Sequence, residues 1–360
     1  MAAGPLARGC CDRCPRAVAG AAAAVTAPGA AVARRRLMKA AVFPARVGQE
    51  MPEPGSARGN ADPSGIGFAD AGQLPRAISG TVIDVSPQVL VLGDDADTQR
   101  FTLTPDVTTW RGGRLDPAAL RPGDHAVLRL RTSSRHTIDR IWANIGRVTG
   151  VITERSGGTL VVDEGATRRP RVVSIQPRAF GRIQVRFPTL EPGYLIDIIG
   201  VHRDGELDGM IPATSQPAYP ASRLPHPPLV SGHVPDAIRG SATWHEPLEE
   251  PSSVLGVCYP ALDPDTGCAE DAAGRHSHGY ARMPYLAIGS VLRVTNECTG
   301  LDCTLPVTGC APVAKLFNDR CVTCGTSPRG RIADLTLASF VALGGELEGG
   351  CFNATITIGE

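Results

Sequence analysis

At 360 residues the chain is longer than one ordinary core and predicts two or three domains, since single domains usually run about 100–200 residues. Lysine plus arginine and aspartate plus glutamate are equal at 36 each, which removes the bulk electrostatic argument for a nucleic-acid or anionic-membrane partner. The 11 cysteines cluster: three lie at positions 10, 11 and 14, and the others fall between Cys258 and Cys351.

Residues 1–76 read as a signal-like or disordered region. Arg34-Arg35-Arg36-Leu37-Met38-Lys39 resembles a twin-arginine export motif, yet only Ala40 to Phe43 come after it before Pro44, where an h-region needs about 7–15 residues. Ala17 to Ala33 is broken by Pro28 and Gly29 and is too short and weakly apolar for a membrane span of about 20 residues, so no integral membrane segment is expected. The alternatives are a disordered extension and a true start at Met38. From Met51 to about Gln73, Gly, Pro, Asp and Ser predominate and mark a linker.

Residues 77–146 and 147–214 are two copies of one unit. Gly80-Thr81-Val82-Ile83-Asp84-Val85 recurs as Gly150-Val151-Ile152-Thr153-Glu154-Arg155, and Leu120-Arg121-Pro122-Gly123 recurs as Leu190-Glu191-Pro192-Gly193, both at an offset of 70 positions. Short alternating strands between Gly, Pro and Asp turns make each copy a small β-barrel or sandwich, similar to an OB-like barrel. Binding a single nucleic-acid strand requires a basic groove with stacking aromatics. Phe101, Trp110 and Arg111 in the first copy, and Arg168, Arg169, Arg171, Phe180 and Phe187 in the second, fit core rings and solvated arginines better. An accessory role as spacer or wall-binding module is expected instead, with no nucleic acid as partner. Residues 215–238 form a Pro-rich linker, Gln216-Pro217-Ala218-Tyr219-Pro220 through Leu224-Pro225-His226-Pro227-Pro228, expected to be extended and semi-rigid and to separate the repeats from the C-terminal domain.

Residues 239–360 carry the chemistry. Eight cysteines here (Cys258, Cys268, Cys298, Cys303, Cys310, Cys321, Cys324, Cys351) read as a disulfide framework, which persists in an oxidising compartment. The competing reading is a zinc site on Cys321-x-x-Cys324, but a second such pair is missing, so no metal or cofactor is expected. Three segments occur in order: Gly240-Ser241-Ala242-Thr243-Trp244; Gly289-Ser290-Val291-Leu292-Arg293-Val294-Thr295-Asn296; and Val313-Ala314-Lys315-Leu316-Phe317-Asn318-Asp319-Arg320 leading into Arg331-Ile332-Ala333-Asp334-Leu335. Together they resemble the rare lipoprotein A (RlpA) family and its expansin and barwin-like relatives, over about a third of the chain. The fold class implied is mainly β: tandem small OB-like barrels followed by a six-stranded double-psi β-barrel with a short helix.

The resemblance implies a secreted or wall-associated protein whose partner is a cell-wall glycan, peptidoglycan above all. It implies Asp319 as the general acid of a lytic transglycosylase-like reaction, in which one carboxyl group protonates the glycosidic oxygen. Trp244, His245, Tyr259, Tyr280, Tyr285, Asn318 and Arg320 become the expected sugar-binding groups, because flat rings stack on apolar sugar faces. Asp334 is a second acid, but it precedes a helix expected over Leu335 to Leu343, closed by Gly344-Gly345, and there suits an N-cap better. Two departures weigh against cleavage: Met283 stands where the family has a histidine, and Cys321 comes after Arg320 where the family has glycine. Non-hydrolytic loosening of the expansin kind, or a purely structural wall role, is the alternative.

Overall fold

The computed structural model describes residues 74–93, 98–165, 168–216, 218, 220–223, 236–246, 254–262, 283–311, 313–320 and 329–358. These form three small closed β-barrels of five, five and six strands, with two short α-helices.

The first barrel contains β1 (Arg76–Val85), β2 (Val89–Gly93), β3 (Thr98–Trp110), the short β4 (Arg114–Leu115), β5 (His125–Leu130) and β6 (Thr137–Ala143). The order β2-β1-β5-β6-β3 is closed by β2 against β3, and β4 hangs on β3. Only β3 and β6 run parallel. Strand alternation fills the interior with Val82, Leu90, Phe101, Ala126, Leu128 and Ile141. The second barrel repeats the plan with β7 (Ile145–Ser156), β8 (Thr159–Asp163), β9 (Arg171–Ile175), β10 (Leu195–Arg203) and β11 (Glu206–Pro212), and here too the third and fifth strands are the parallel pair.

The repeat holds down to single hydrogen bonds. β1 bulges between Val82 and Asp84, and β7 bulges between Ile152 and Glu154. In the first copy Gly123 N–H donates to the Val82 carbonyl at 2.8 Å, and in the second Gly193 N–H donates to Ile152 at 2.7 Å. Both glycines have φ of 91°, the left-handed region that Gly enters without a Cβ penalty. The copies differ in two places: the first carries β4, without a counterpart among the described residues of the second, and the connection before the fourth barrel strand is built differently. Where the first has a 3₁₀ turn at Pro117–Ala119, the second has α1 (Pro177–Arg186), opened by proline at its first position and burying Ala179 and Ile183, four residues apart, in the barrel core.

The third barrel contains β12 (Ala237–Trp244), β13 (Val257–Tyr259), β14 (Val291–Asn296), β15 (Asp302–Cys310), the short β16 (Asn318–Asp319), β17 (Arg329–Leu335), α2 (Leu337–Ala342) and β18 (Cys351–Ile358). Its ring runs β12-β18-β14-β15-β13-β17 and closes by β12 against β17; β16 pairs on the outside of β17. The helix is shorter than the sequence suggests. Its N-cap is Thr336, whose hydroxyl accepts from the Ser339 N–H at 3.3 Å, because Asp334 still lies in β17, where its carboxylate accepts from the Thr243 hydroxyl at 2.8 Å. Gly344, at φ of 76°, succeeds the helix as expected.

The barrels share one core. Ala77, Trp110, Val127 and Trp142 from the first, Ile145, Ile199 and Val201 from the second, and Trp244, Leu305, Phe340 and Phe352 from the third belong to a single buried cluster. This is why β5 and β10 are buried on both faces over much of their length. Gln216, which falls in the expected Pro-rich linker, is buried between barrels; residues 217, 219 and 224–235 of that linker lie outside the described residues. Between the first two barrels the chain turns at Asn144, φ of 51°, whose amide donates to Asp124 at 2.9 Å and accepts from the His125 N–H at 2.7 Å.

Candidate functional site around Asp319

Asp319, expected as a general acid partly desolvated by a sugar-binding groove, is 1% exposed. Its Oδ2 accepts from Arg331 Nε and from the Ser241 hydroxyl, both at 2.8 Å, and its Oδ1 accepts from Arg331 Nη2 at 2.9 Å and from Gln216 Nε2 at 2.8 Å. Four bonds occupy the about four lone-pair positions a carboxylate has. Arg331 is equally enclosed, and its guanidinium lies 4.1 Å from the centre of the Phe317 ring. The same Arg331 Nη2 reaches across to Asp197 of the second barrel at 2.6 Å. Asp197 is in turn gripped by Arg147 through Nε at 2.8 Å and Nη2 at 2.7 Å, and by the hydroxyls of Thr149 at 2.9 Å and Thr214 at 3.1 Å. Arg147 closes the chain with Nη1 bonds to the carbonyls of Trp244 at 2.9 Å and Gly350 at 2.7 Å.

Two arginines and two aspartates thus alternate, with no net charge, through the seam between the second and third barrels. Burial alone would raise the Asp197 carboxyl, but Arg147 and Arg331 outweigh it and hold it at about 2. Burial likewise works against the charged Arg331 guanidinium, and Asp319 and Asp197 reverse that and raise its pKa. Such a site orients and holds; it offers no open face to a sugar.

The other expected sugar contacts scatter. Trp244 is buried, its indole N–H donating to the Leu347 carbonyl at 2.9 Å, with Arg147 over its ring at 5.6 Å. Tyr259 is buried, and its hydroxyl donates to the Pro284 carbonyl at 3.1 Å; burial raises its pKa. Neither lines a groove, because each faces the shared core rather than the rim. His245 is half-buried with Nε2 4.0 Å from the Cys258 sulfur. Asn318 is half-buried and its backbone N–H donates to Gln216 Oε1 at 3.1 Å, whereas Arg320 is exposed and Tyr285 is 64% exposed. Met283, at the place of the family histidine, packs against the core. Tyr280, Cys268, Cys321 and Cys324 lie outside the described residues. Cys298 and Cys310 each take part in a disulfide. Cys303, counted among the disulfide candidates, is instead a free buried thiol 3.7 Å from the Thr304 carbonyl, because its strand position turns it into the barrel wall. Cys351 is buried.

A second seam joins the first and third barrels. Arg129 pairs with Glu346 at 2.6 Å, Arg140 pairs with Glu348, and the Trp142 indole donates to Glu348 as well. Beyond Trp244, Glu246 clasps His202 and takes a 2.7 Å bond from Arg171 of the second barrel. Sequence motifs single out Asp319 and include Ser241 and Arg331, but they give no role to Gln216 or to Arg147 and Asp197, which join the network through Arg331. A signal exists for two of them: Asp197 and Arg147 interrupt otherwise apolar strands, Leu195-Ile196-Asp197-Ile198-Ile199 and Ile145-Gly146-Arg147-Val148, and a buried charge calls for a counter-charge.

Among the described residues no cluster of three His, Cys, Asp or Glu is arranged for a metal ion, and no helix is long and apolar enough to cross a membrane. No family model and no curated protein matches the chain. Among solved structures, a multidomain protein with nucleic acid binding domains from Streptococcus pneumoniae is similar at 17% identity, over 72% of each chain, with a TM-score of 0.14. At that score the likeness carries no inference about fold or function.

Proposed function

We propose that the protein is a non-catalytic, extracytoplasmic binding protein of cell-wall polysaccharide, peptidoglycan first, in which two OB-like barrels and a double-psi barrel act as one rigid module. The observation that carries the non-catalytic reading is the enclosure of Asp319. A general acid must bring a proton to a glycosidic oxygen, and this carboxylate accepts four bonds from protein groups at 1% exposure.

The finer fold names have separate support. In the first two barrels the strands, taken in chain order, close as 1-2-3-5-4-1 with the third and fifth parallel, the OB plan. In the third, β12–β17 and β13–β15 are the parallel pairs. Leaving out β16, moving each of the six ring strands three places along the chain carries the pairing pattern onto itself, the internal twofold of a double-psi barrel. Disulfide-bonded Cys298 and Cys310 favour an oxidising compartment. Exposed Tyr285, with exposed Ile288 and Val291 soon after it, offers a ring and apolar neighbours to sugar faces.

Incubating the full chain with purified peptidoglycan tests the reading. It should sediment with the polymer, lose at least half of that binding on Tyr285→Ala, and release no soluble fragments. Release that disappears in a folded Asp319→Asn variant would establish catalysis and sink the proposal; failure to sediment would sink the binding claim.

A further inference from the structure

The one helix that distinguishes the second barrel from the first borders a cavity of about 490 Å³, lined by Arg182, Val185, Arg186, Ile211, Pro212 and the Glu348–Gly349 turn of the third barrel. The geometry points to this cavity as a binding site for a small amphipathic anion, a carboxylate or phosphate head on a compact apolar body. The proposal is independent of the wall-binding reading.

Charge comes first. Arg182 and Arg186 stand one helical turn apart on α1, and among the described residues neither guanidinium has a side-chain partner. The sequence of α1 holds no acid at all. The lone acid on the cavity wall, Glu348, is already committed, one oxygen to Arg140 and the other to the Trp142 indole. Two full positive charges thus face the space, against the partial charge of about half a unit that a helix C-terminus contributes. Guanidinium forks suit the paired oxygens of carboxylate and phosphate, which settles the head group's class.

The rest of the lining is apolar. Val185 is 76% exposed between the two arginines, an arrangement with no packing role, and Ile211 and Pro212 continue the surface. A fully hydrated ion would leave those side chains unused. The volume falls within the about 300–1,000 Å³ usual for ligand pockets, enough for a body of one ring or a short branched chain. The first barrel cannot build this site, because its counterpart to α1 is the three-residue turn at Pro117–Ala119.

Calorimetric titration of the full chain with benzoate, phenylphosphate, inorganic phosphate and benzyl alcohol at fixed salt tests the assignment. Benzoate or phenylphosphate should bind with a Kd of about 1 mM or below, at least about tenfold tighter than inorganic phosphate and benzyl alcohol; whichever of the two is tighter identifies the head group. Arg182→Gln with Arg186→Gln should weaken that binding at least about tenfold, as should Val185→Glu, which places a like charge at the mouth. Arg178→Gln, one turn away on α1 and outside the lining, should not. All these positions are solvent-facing or half-buried, and an unchanged melting curve verifies the fold. Absence of binding by both organic anions, equal binding of inorganic phosphate, or full affinity in the double and Val185→Glu variants would overturn the proposal.

Discussion

Asp319 and Arg331 show how much one residue's surroundings change its meaning. Removing one partner of a buried pair leaves the other charge without compensation, which typically costs about 3–5 kcal/mol, whereas replacing both with apolar groups of similar volume is often neutral. Asp319→Ala should therefore destabilise by about 3–5 kcal/mol in urea denaturation, and Asp319→Leu combined with Arg331→Met by clearly less. If the double variant proves as unstable as the sum of the singles, the pair is not the unit described. The same curves carry a pH signature from Asp197. Its folded pKa, about 2, lies below the about 3.9 of an unfolded aspartate. Its contribution is thus present above about pH 4 and is lost as pH falls through the folded value near 2. Over that window the unfolding free energy of Asp197→Asn should depend less steeply on pH than that of the parent chain.

At the scale of elements, the two repeat copies allow a controlled comparison. Gly80 and Gly150 occupy the same place before the bulge, but a Cβ at Gly80 would lie 3.2 Å from the Gly93 carbonyl oxygen, while one at Gly150 would run into the Asp163 carbonyl. Backbone on a paired strand cannot move aside as a side-chain tip can. Gly150→Ala should thus cost more than about 2 kcal/mol and Gly80→Ala less than about 1, read as unequal drops in melting temperature. Equal drops would mean that the close approach in the second barrel relaxes freely. The strands themselves arise from alternation and turn chemistry, which is why both barrels are readable from the chain. Helix α1 is not: Phe180, Gly181, Ile183 and Val185 are aromatic, glycine or β-branched and favour a helix poorly, and its place is set by Ala179 and Ile183 plugging the barrel.

For the whole molecule, a common core and two charged seams predict one cooperative unit. Trp110 and Trp142 report on the first barrel and Trp244 on the third, and all three are buried. Tryptophan fluorescence and far-ultraviolet circular dichroism should then give coincident thermal transitions. Two separated transitions would show that the barrels are merely tethered. The Pro-rich stretch suggests just such tethering, because composition reports local stiffness and is silent on whether the flanking barrels share a face.

Local rules suffice for the mainly β architecture, the 70-residue repeat, the Gly123 and Gly193 turns and the glycine after α2. Each depends on neighbours within a few residues or on periodicity along the chain. The character of the site does not. Asp319 is joined to Arg331, Gln216, Ser241 and, through Arg331, Asp197, groups that lie as far as 134 positions apart in sequence. Whether a carboxylate is an exposed acid or the centre of an enclosed ion pair depends on which distant charges folding brings against it. Only the packing of the second barrel on the third decided that.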